Sequence, residues 1–428
     1  MRYLNRMWIG GMRLSRYRPL FTISPLKLVG AVATTLVILI TINIGGSSRD
    51  VGLAVGLSFL GNLIGVLIWP NIMGKKGNYV GGIISGYLLL SISVALLATE
   101  TLLNILISSF LITFFTNLIY FSLLYFLVDN YTENIDEMVG SMESIGGWSW
   151  VAGLLFGFYA SNTLPLRILI SILTAILIIA VVISIILLVT GIKERIKTMV
   201  DEEEGVLPLL DRGLEKVIDF EERIPSILFS GIHVIFGGSL FYSPVYLKVK
   251  GIGRDRIMLY LGITLIFISF GNVYTQLIKH IKDIGYPDST IYFLALLSSV
   301  LSALTYLVAG DKSNPLKKFV RAGSIRVSAF ITLTLLTLVA YPLQIIVLAI
   351  FYILSGFTWA YLIVNLNLYA LKHGKSEIGF TNFFGNIGLL TGAVSSGLII
   401  QLIGFELLYI ISALLLSIGL LITYYSNK

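Results

Sequence analysis

Residues Ile227–Leu247 read ILFSGIHVIFGGSLFYSPVYL. At 21 residues the stretch is long enough to cross a bilayer core, which takes about 20 helical residues. If it crosses, the chain has thirteen spanning helices. If it lies on the surface, there are twelve, arranged as six and six. The choice fixes the side of the membrane on which every later loop sits.

Composition settles the class. Over 428 residues, 56% are apolar and only 12% charged, and the mean hydropathy is +0.91. A soluble domain carries about a quarter of its residues charged, so this chain belongs in lipid. With no cysteine it has no disulfide and no thiolate chemistry. Three scattered histidines, His233, His280 and His373, do not make a metal site. The net charge of +7 marks cytoplasmic loops rather than a nucleic-acid surface. The tail over 1–27 is basic, has no acidic residue and no long apolar run, and is expected to be cytosolic rather than a signal peptide.

Spans are expected at 28–46, 51–70, 79–99, 102–128, 142–160 and 166–190, forming a six-helix bundle over 28–190. A charged cytoplasmic loop with DEEE at 201–204 follows, so that 191–255 reads as a central loop containing the opening stretch. A second bundle over 256–425 has spans at 256–279, 289–310, 325–341, 343–370, 378–403 and 405–425, leaving 426–428 as a cytoplasmic end. With twelve spans, all of the 30 Lys and Arg except Arg49, Arg167, Lys279 and Lys282 fall inside. A thirteenth span would divide them almost evenly, so twelve is expected. Ser230, His233 and Gly237 share one helical face opposite Phe229, Ile232 and Phe236, which suits an interfacial segment.

Internal repetition agrees. A shift of 239 lays the stretch from Tyr125 to Gly153 onto that from Val364 to Gly392, matching Gly140, Gly146 and Gly153 to Gly379, Gly385 and Gly392. Nearly equal shifts place Arg49-Asp50 on Pro287-Asp288 and Lys75-Lys76 on Lys317-Lys318.

Two repeated six-helix halves joined by a charged loop resemble the major facilitator superfamily of secondary transporters. LIWPNIMGKKGNY, between the second and third helices, is similar to a worn copy of that family's loop motif. Gly74, Lys75 and Lys76 stand where its final Gly and basic residues belong; Asn71 replaces the Asp, and Leu67 the first Gly. Asp311-Lys312 and Lys317-Lys318 form a looser counterpart in the second half. The resemblance implies an all-α polytopic fold whose halves rock on helices 2, 5, 8 and 11, and these carry stripes of small residues such as Gly52, Gly56, Gly61 and Gly65, Gly153 and Gly157, and Gly388, Gly392 and Gly397.

It also implies a cavity lined by helices 1, 4, 7 and 10 near the midplane. The polar residues there are Thr35, Thr116, Asn117, Tyr120, Asn272, Gln276, Ser355 and Trp359, the expected solute-binding set. Thr116 and Tyr120 repeat as Ser355 and Trp359 under the 239 shift. The spans as drawn leave no charge at any helix centre, which favours an uncharged or amphipathic solute. Glu143, at the expected start of the fifth helix and facing Lys75-Lys76, is the candidate for coupling to H+. No H-E-x-x-H, G-x-S-x-G or buried aspartate pair points to an enzyme. The expected protein is therefore a monomeric transporter in the cell membrane, contacting lipid and a small solute, without cofactor or metal and with both termini cytoplasmic. The alternative is a related sensor or scaffold that does not transport.

Overall fold

A computed structural model of the chain describes residues 14–130, 135–202, 254–309, 314–373 and 375–426. The stretch Ile227–Leu247, most of the central loop and Asp311 lie outside the described residues, as do the side chains of Lys75 and Lys76.

Among the described residues every regular element is helical. The first half comprises α1 (Ile23–Asn43), α2 (Ser48–Lys76), α3 (Tyr79–Ala95), α4 (Leu102–Asn130), α5 (Ile135–Thr163) and α6 (Leu166–Glu202). The second comprises α7 (Arg254–Ile284), α8 (Asp288–Ala309), α9 (Pro315–Leu333) and α10 (Tyr341–His373), then a helical run Lys375–Tyr425. Gly404 breaks that run with φ 83° and ψ 176°, a conformation open only to glycine, into α11 (375–403) and α12 (405–425). Among the described residues ten helices are long and apolar enough to cross a membrane, counting Phe380–Tyr425 once and leaving out α5.

Local chemistry explains the ends. Ser47 and Asp50 form a reciprocal capping box at the start of α2, with the Ser47 N–H donating to Asp50 at 2.8 Å. Gly77 ends α2 with φ 64°. Asn78 caps α3 by accepting the Gly81 N–H at 3.1 Å.

The halves repeat the same packing. α1 packs on α5 as α7 packs on α11, α2 on α4 as α8 on α10, α3 on α4 as α9 on α10, and α3 on α6 as α9 on α12. The correspondence extends to atoms. A Cβ at Gly153 would strike the carbonyl oxygen of Leu28 on α1, and one at Gly392 that of Ile268 on α7. Gly146 lies on Lys27 and Gly385 on Phe267, also equivalent positions.

Three expectations need correction. α9 begins at Pro315, ten residues before the expected 325, because Pro at the first helical position starts a helix well. The segment looks like a loop by charge, yet Phe319, Ala322, Gly323, Arg326, Ala329, Phe330 and Leu333 recur at helical spacing and are all buried. Arg326 is thus not a loop residue. It sits halfway along the Pro315–Thr337 span, 1% exposed, so a helix centre does carry a charge. Second, α5 starts at Ile135, which places Glu143 in its third turn rather than at its first. Third, the glycine stripes do not all serve the contact between halves. Gly61 and Gly65 face α4, Gly153 faces α1, and Gly388 and Gly392 face α7. Only Gly52, Gly56, Gly157 and Gly397 of those stripes meet the opposite half.

Candidate solute-binding site

The halves meet along α2 with α11 and α5 with α8. Gly52 and Gly56 face Ala393 and Val394, Gly397 faces Ser48 and Arg49, and Gly157 lies on the Tyr292 ring. The Gln276 amide donates to the Ser48 carbonyl at 2.9 Å and to the Ser396 hydroxyl at 3.0 Å. These contacts gather where α2 and α8 begin and α5, α7 and α11 end. Further along, Asn117 donates to the Asn62 side-chain oxygen at 2.9 Å and Asn62 donates to Asn386 at 2.8 Å, a polar chain from α4 through α2 to α11.

The expected binding residues therefore divide into two kinds. Asn117, Asn272 and Gln276 are buried and turned into neighbouring helices; Asn272 accepts the Ser395 hydroxyl at 3.2 Å. They join helices in this conformation. Thr35 is also buried. Thr116 and Tyr120 on α4 and Trp359 on α10 are half-buried, whereas Ser355 on α10 is buried.

Tyr120 and Trp359, equivalent under the repeat, each stand beside a cation. Lys27 Nζ lies 5.7 Å from the Tyr120 ring centre, and the Arg326 guanidinium lies 5.5 Å from the Trp359 ring centre. The Tyr120 hydroxyl donates to Glu143 Oε1 at 2.7 Å, so α1, α4 and α5 contribute a Lys27–Tyr120–Glu143 array. On the other side Arg326 is held among Phe270 at 5.1 Å, Tyr274 at 5.6 Å and Trp359, and Nη2 donates to the Ser355 carbonyl oxygen. The Tyr274 hydroxyl donates to the Ser355 hydroxyl at 3.0 Å. An arginine at a helix centre costs about 2.5–3.5 kcal/mol on insertion scales. Each ring returns roughly 0.5–2 kcal/mol as a cation–π contact, so the three rings make the buried charge tolerable.

Of the loop-motif residues, Asn71 donates back to the Leu67 carbonyl at 2.8 Å, and a Cβ at Gly74 would lie 3.7 Å from the Tyr125 ring. Sequence reasoning missed Lys27, Asn62, Arg326 and Asn386. Arg326 had a readable signal, its place on the buried stripe of α9.

The family model described as Major Facilitator Superfamily matches residues 28–381. The chain belongs to the major facilitator superfamily. It is accordingly a multi-pass membrane protein of a transporter family rather than an enzyme. Solved structures of this superfamily fold agree across nearly the whole chain. A mutant of the nucleoside transporter NupG matches with a TM-score of 0.58 at 12% identity, covering 97% of this chain and 99% of that one. Tetrameric PepTSo2 matches with 0.62 at 13%, covering 97% of both. The xylose transporter XylE from E. coli, in a partially occluded inward open conformation, matches with 0.60 at 9%, covering 96% and 98%. At such identities they establish the fold. No curated protein matches the sequence.

Proposed function

We propose that this protein is a secondary transporter that moves a small amphipathic solute across the cell membrane by alternating access, as a monomer with both termini cytoplasmic. The observation that carries the reading is the pairing of Tyr120 and Trp359. Two equivalent half-buried aromatic rings, one in each half, each stand beside a cation, and the Tyr120 hydroxyl donates to Glu143. Rings with polar neighbours suit a solute having an apolar body and a polar end. The expectation of an uncharged solute rested on helix centres free of charge. Arg326 removes that ground and leaves the amphipathic reading.

The topology proposed is twelve spans, with α5 crossing despite its polarity and α11 and α12 counted separately at Gly404. In that arrangement the end closed by Gly52, Gly157, Gln276 and Gly397 is external and the conformation faces inward. Glu143 is the proposed coupling group. It is exposed, lies in the third turn of α5 beyond the reach of a helix-end dipole, and already exchanges a hydrogen bond with Tyr120.

Solute-stimulated exchange in proteoliposomes, screened with a metabolite mixture, tests the reading. Tyr120→Ala and Trp359→Ala are expected to weaken uptake while inserting normally. In the same vesicles Glu143→Gln is expected to lose pH-gradient-driven accumulation and keep gradient-free exchange. Normal affinity in both ring variants would place the solute elsewhere, and unchanged accumulation would leave Glu143 structural. The topology is checked separately in this cysteine-free chain. Single cysteines at Ser313 and Lys375 should react only from the cytosol, and those at Ser47 and Asp283 only from outside. External labelling at Ser313 would restore Ile227–Leu247 as a span.

A further inference from the structure

We propose that Arg326 and the rings around it form the seat for a carboxylate carried by the solute, so that the transported molecule is an amphipathic monocarboxylate. The inference deepens the transporter reading and rests on it.

The first ground is an imbalance of partners. Arg326 is 1% exposed, and among the described residues its Nε and Nη1 have no hydrogen-bond partner. An arginine side chain stays charged in proteins and its N–H groups are all donors. Buried donors of this kind are ordinarily satisfied. Among the described residues no acidic group forms an ion pair with it, and its one direct hydrogen bond goes to the Ser355 carbonyl oxygen. Aromatic faces stabilise the cation but accept no conventional in-plane bond, so the two donors still call for an acceptor, and an anion satisfies both the donors and the charge.

The second ground is access. Of the three rings around the guanidinium Phe270 is buried, whereas Tyr274 and Trp359 are half-buried, so a solute would approach past these two. A solute that displaces the Trp359 ring exchanges the contact of that ring with the guanidinium for its own. The exchange is favourable in direction, because a charge-assisted hydrogen bond is stronger than the single cation–π contact given up for it.

The third ground is the chemistry of the pocket and its charge. Phe270, Tyr274 and Trp359 offer apolar faces beside the charge, suited to a carboxylate attached to an aliphatic or aromatic body. Arg326 is a single cation, without an acidic partner among the described residues, which a monoanion neutralises and a dianion would overshoot. A single fixed cation enclosed by rings also fits a small planar carboxylate better than a bulky phosphate.

The test uses purified full-length protein and aliphatic and aromatic monocarboxylic acids, from propionate to decanoate and including benzoate, each paired with its primary amide. Binding is followed by thermal shift and tryptophan fluorescence. At least one acid should bind about tenfold to a hundredfold more tightly than its amide, the range of a charge-assisted hydrogen bond. Arg326→Gln should reduce that ratio to about one, while Arg326→Lys should keep part of it. The acid-induced fluorescence change should disappear in Trp359→Phe, which supplies a second readout if Arg326→Gln does not fold. No acid preferred over its amide, a preference surviving in Arg326→Gln, or a fluorescence change persisting in Trp359→Phe would each overturn the proposal. Because binding is read without transport, these failures are distinct from failure of the exchange assay.

Discussion

Gly392→Val is expected to leave almost no folded protein in detergent, and Gly153→Val should do the same. Gly147→Val should behave like the parent. At Gly392 a Cβ would strike the Ile268 carbonyl oxygen and lie 2.9 Å from the Asn272 nitrogen and 3.0 Å from the Gly271 Cα. All three are backbone atoms, so no side chain can swing aside. At Gly153 the Leu28 carbonyl blocks in the same way, with the Ala31 Cβ at 3.0 Å. Overpacking costs about 1–3 kcal/mol when neighbours can adjust, and here only whole helices can move, so the upper end or beyond is expected. Nothing lies within 4 Å of a Cβ at Gly147, which makes it the control. The readout is the monodisperse fraction by size exclusion and the apparent Tm. Parent-like stability of Gly392→Val would mean that α7 and α11 do not approach this closely. A loss at Gly392 without one at Gly153 would break the equivalence of the halves.

That equivalence was legible in the sequence because glycine at a close helix crossing has no substitute. The matches of Gly146 with Gly385 and Gly153 with Gly392 reappear as the same contacts on α1 and α7. Most helix positions were legible too, because long apolar runs between charged or glycine-containing breaks leave little choice. The partner of each glycine was not. Gly56 and Gly61 belong to one stripe on α2, yet one faces α11 and the other α4. Five residues turn a helix by about 140° beyond one full turn, so a stripe drawn along the axis hides the change of face.

The site was legible only in part. Tyr120, Ser355 and Trp359 could be paired from the repeat, whereas their cations could not. By sequence Lys27 reads as cytosolic tail and Arg326 as a loop end, since position-by-position hydropathy treats any charge as a boundary. The same habit delayed α9 to 325, although the buried stripe through Phe319 and Ala322 was already in register with Phe330 and Leu333. Helical period carried the signal that charge concealed. Asn117 and Gln276 show the opposite error. Both are polar residues near helix centres, where a cavity was expected, and both bridge helices instead.

A disulfide between Gly56→Cys and Val394→Cys is expected to stop exchange reversibly. A Cβ at Gly56 would lie 2.6 Å from Val394 Cγ2, the position a cysteine sulfur could take once valine is removed. The pair therefore meets the geometric demand of a disulfide, which tolerates Cβ atoms about 3.5–4.5 Å apart. The substitution of Val394 also relieves the clash that a side chain at Gly56 would otherwise create. The chain has no other cysteine, so oxidation has one product and reduction removes it. Gly56 lies on the stretch of α2 whose contacts with α11 join the two halves. If the halves must part there for the solute to leave, the oxidised protein should exchange at the level of empty vesicles. Reductant should return it to the rate of the reduced double variant. Solute binding should survive oxidation, because Tyr120 and Trp359 are not part of the bridged contact, and that separates a locked carrier from a damaged one. Full-rate exchange by protein shown to be cross-linked would mean that α2 and α11 stay together through the cycle, and the moving contact would then have to be sought between α5 and α8, where Gly157 rests on Tyr292.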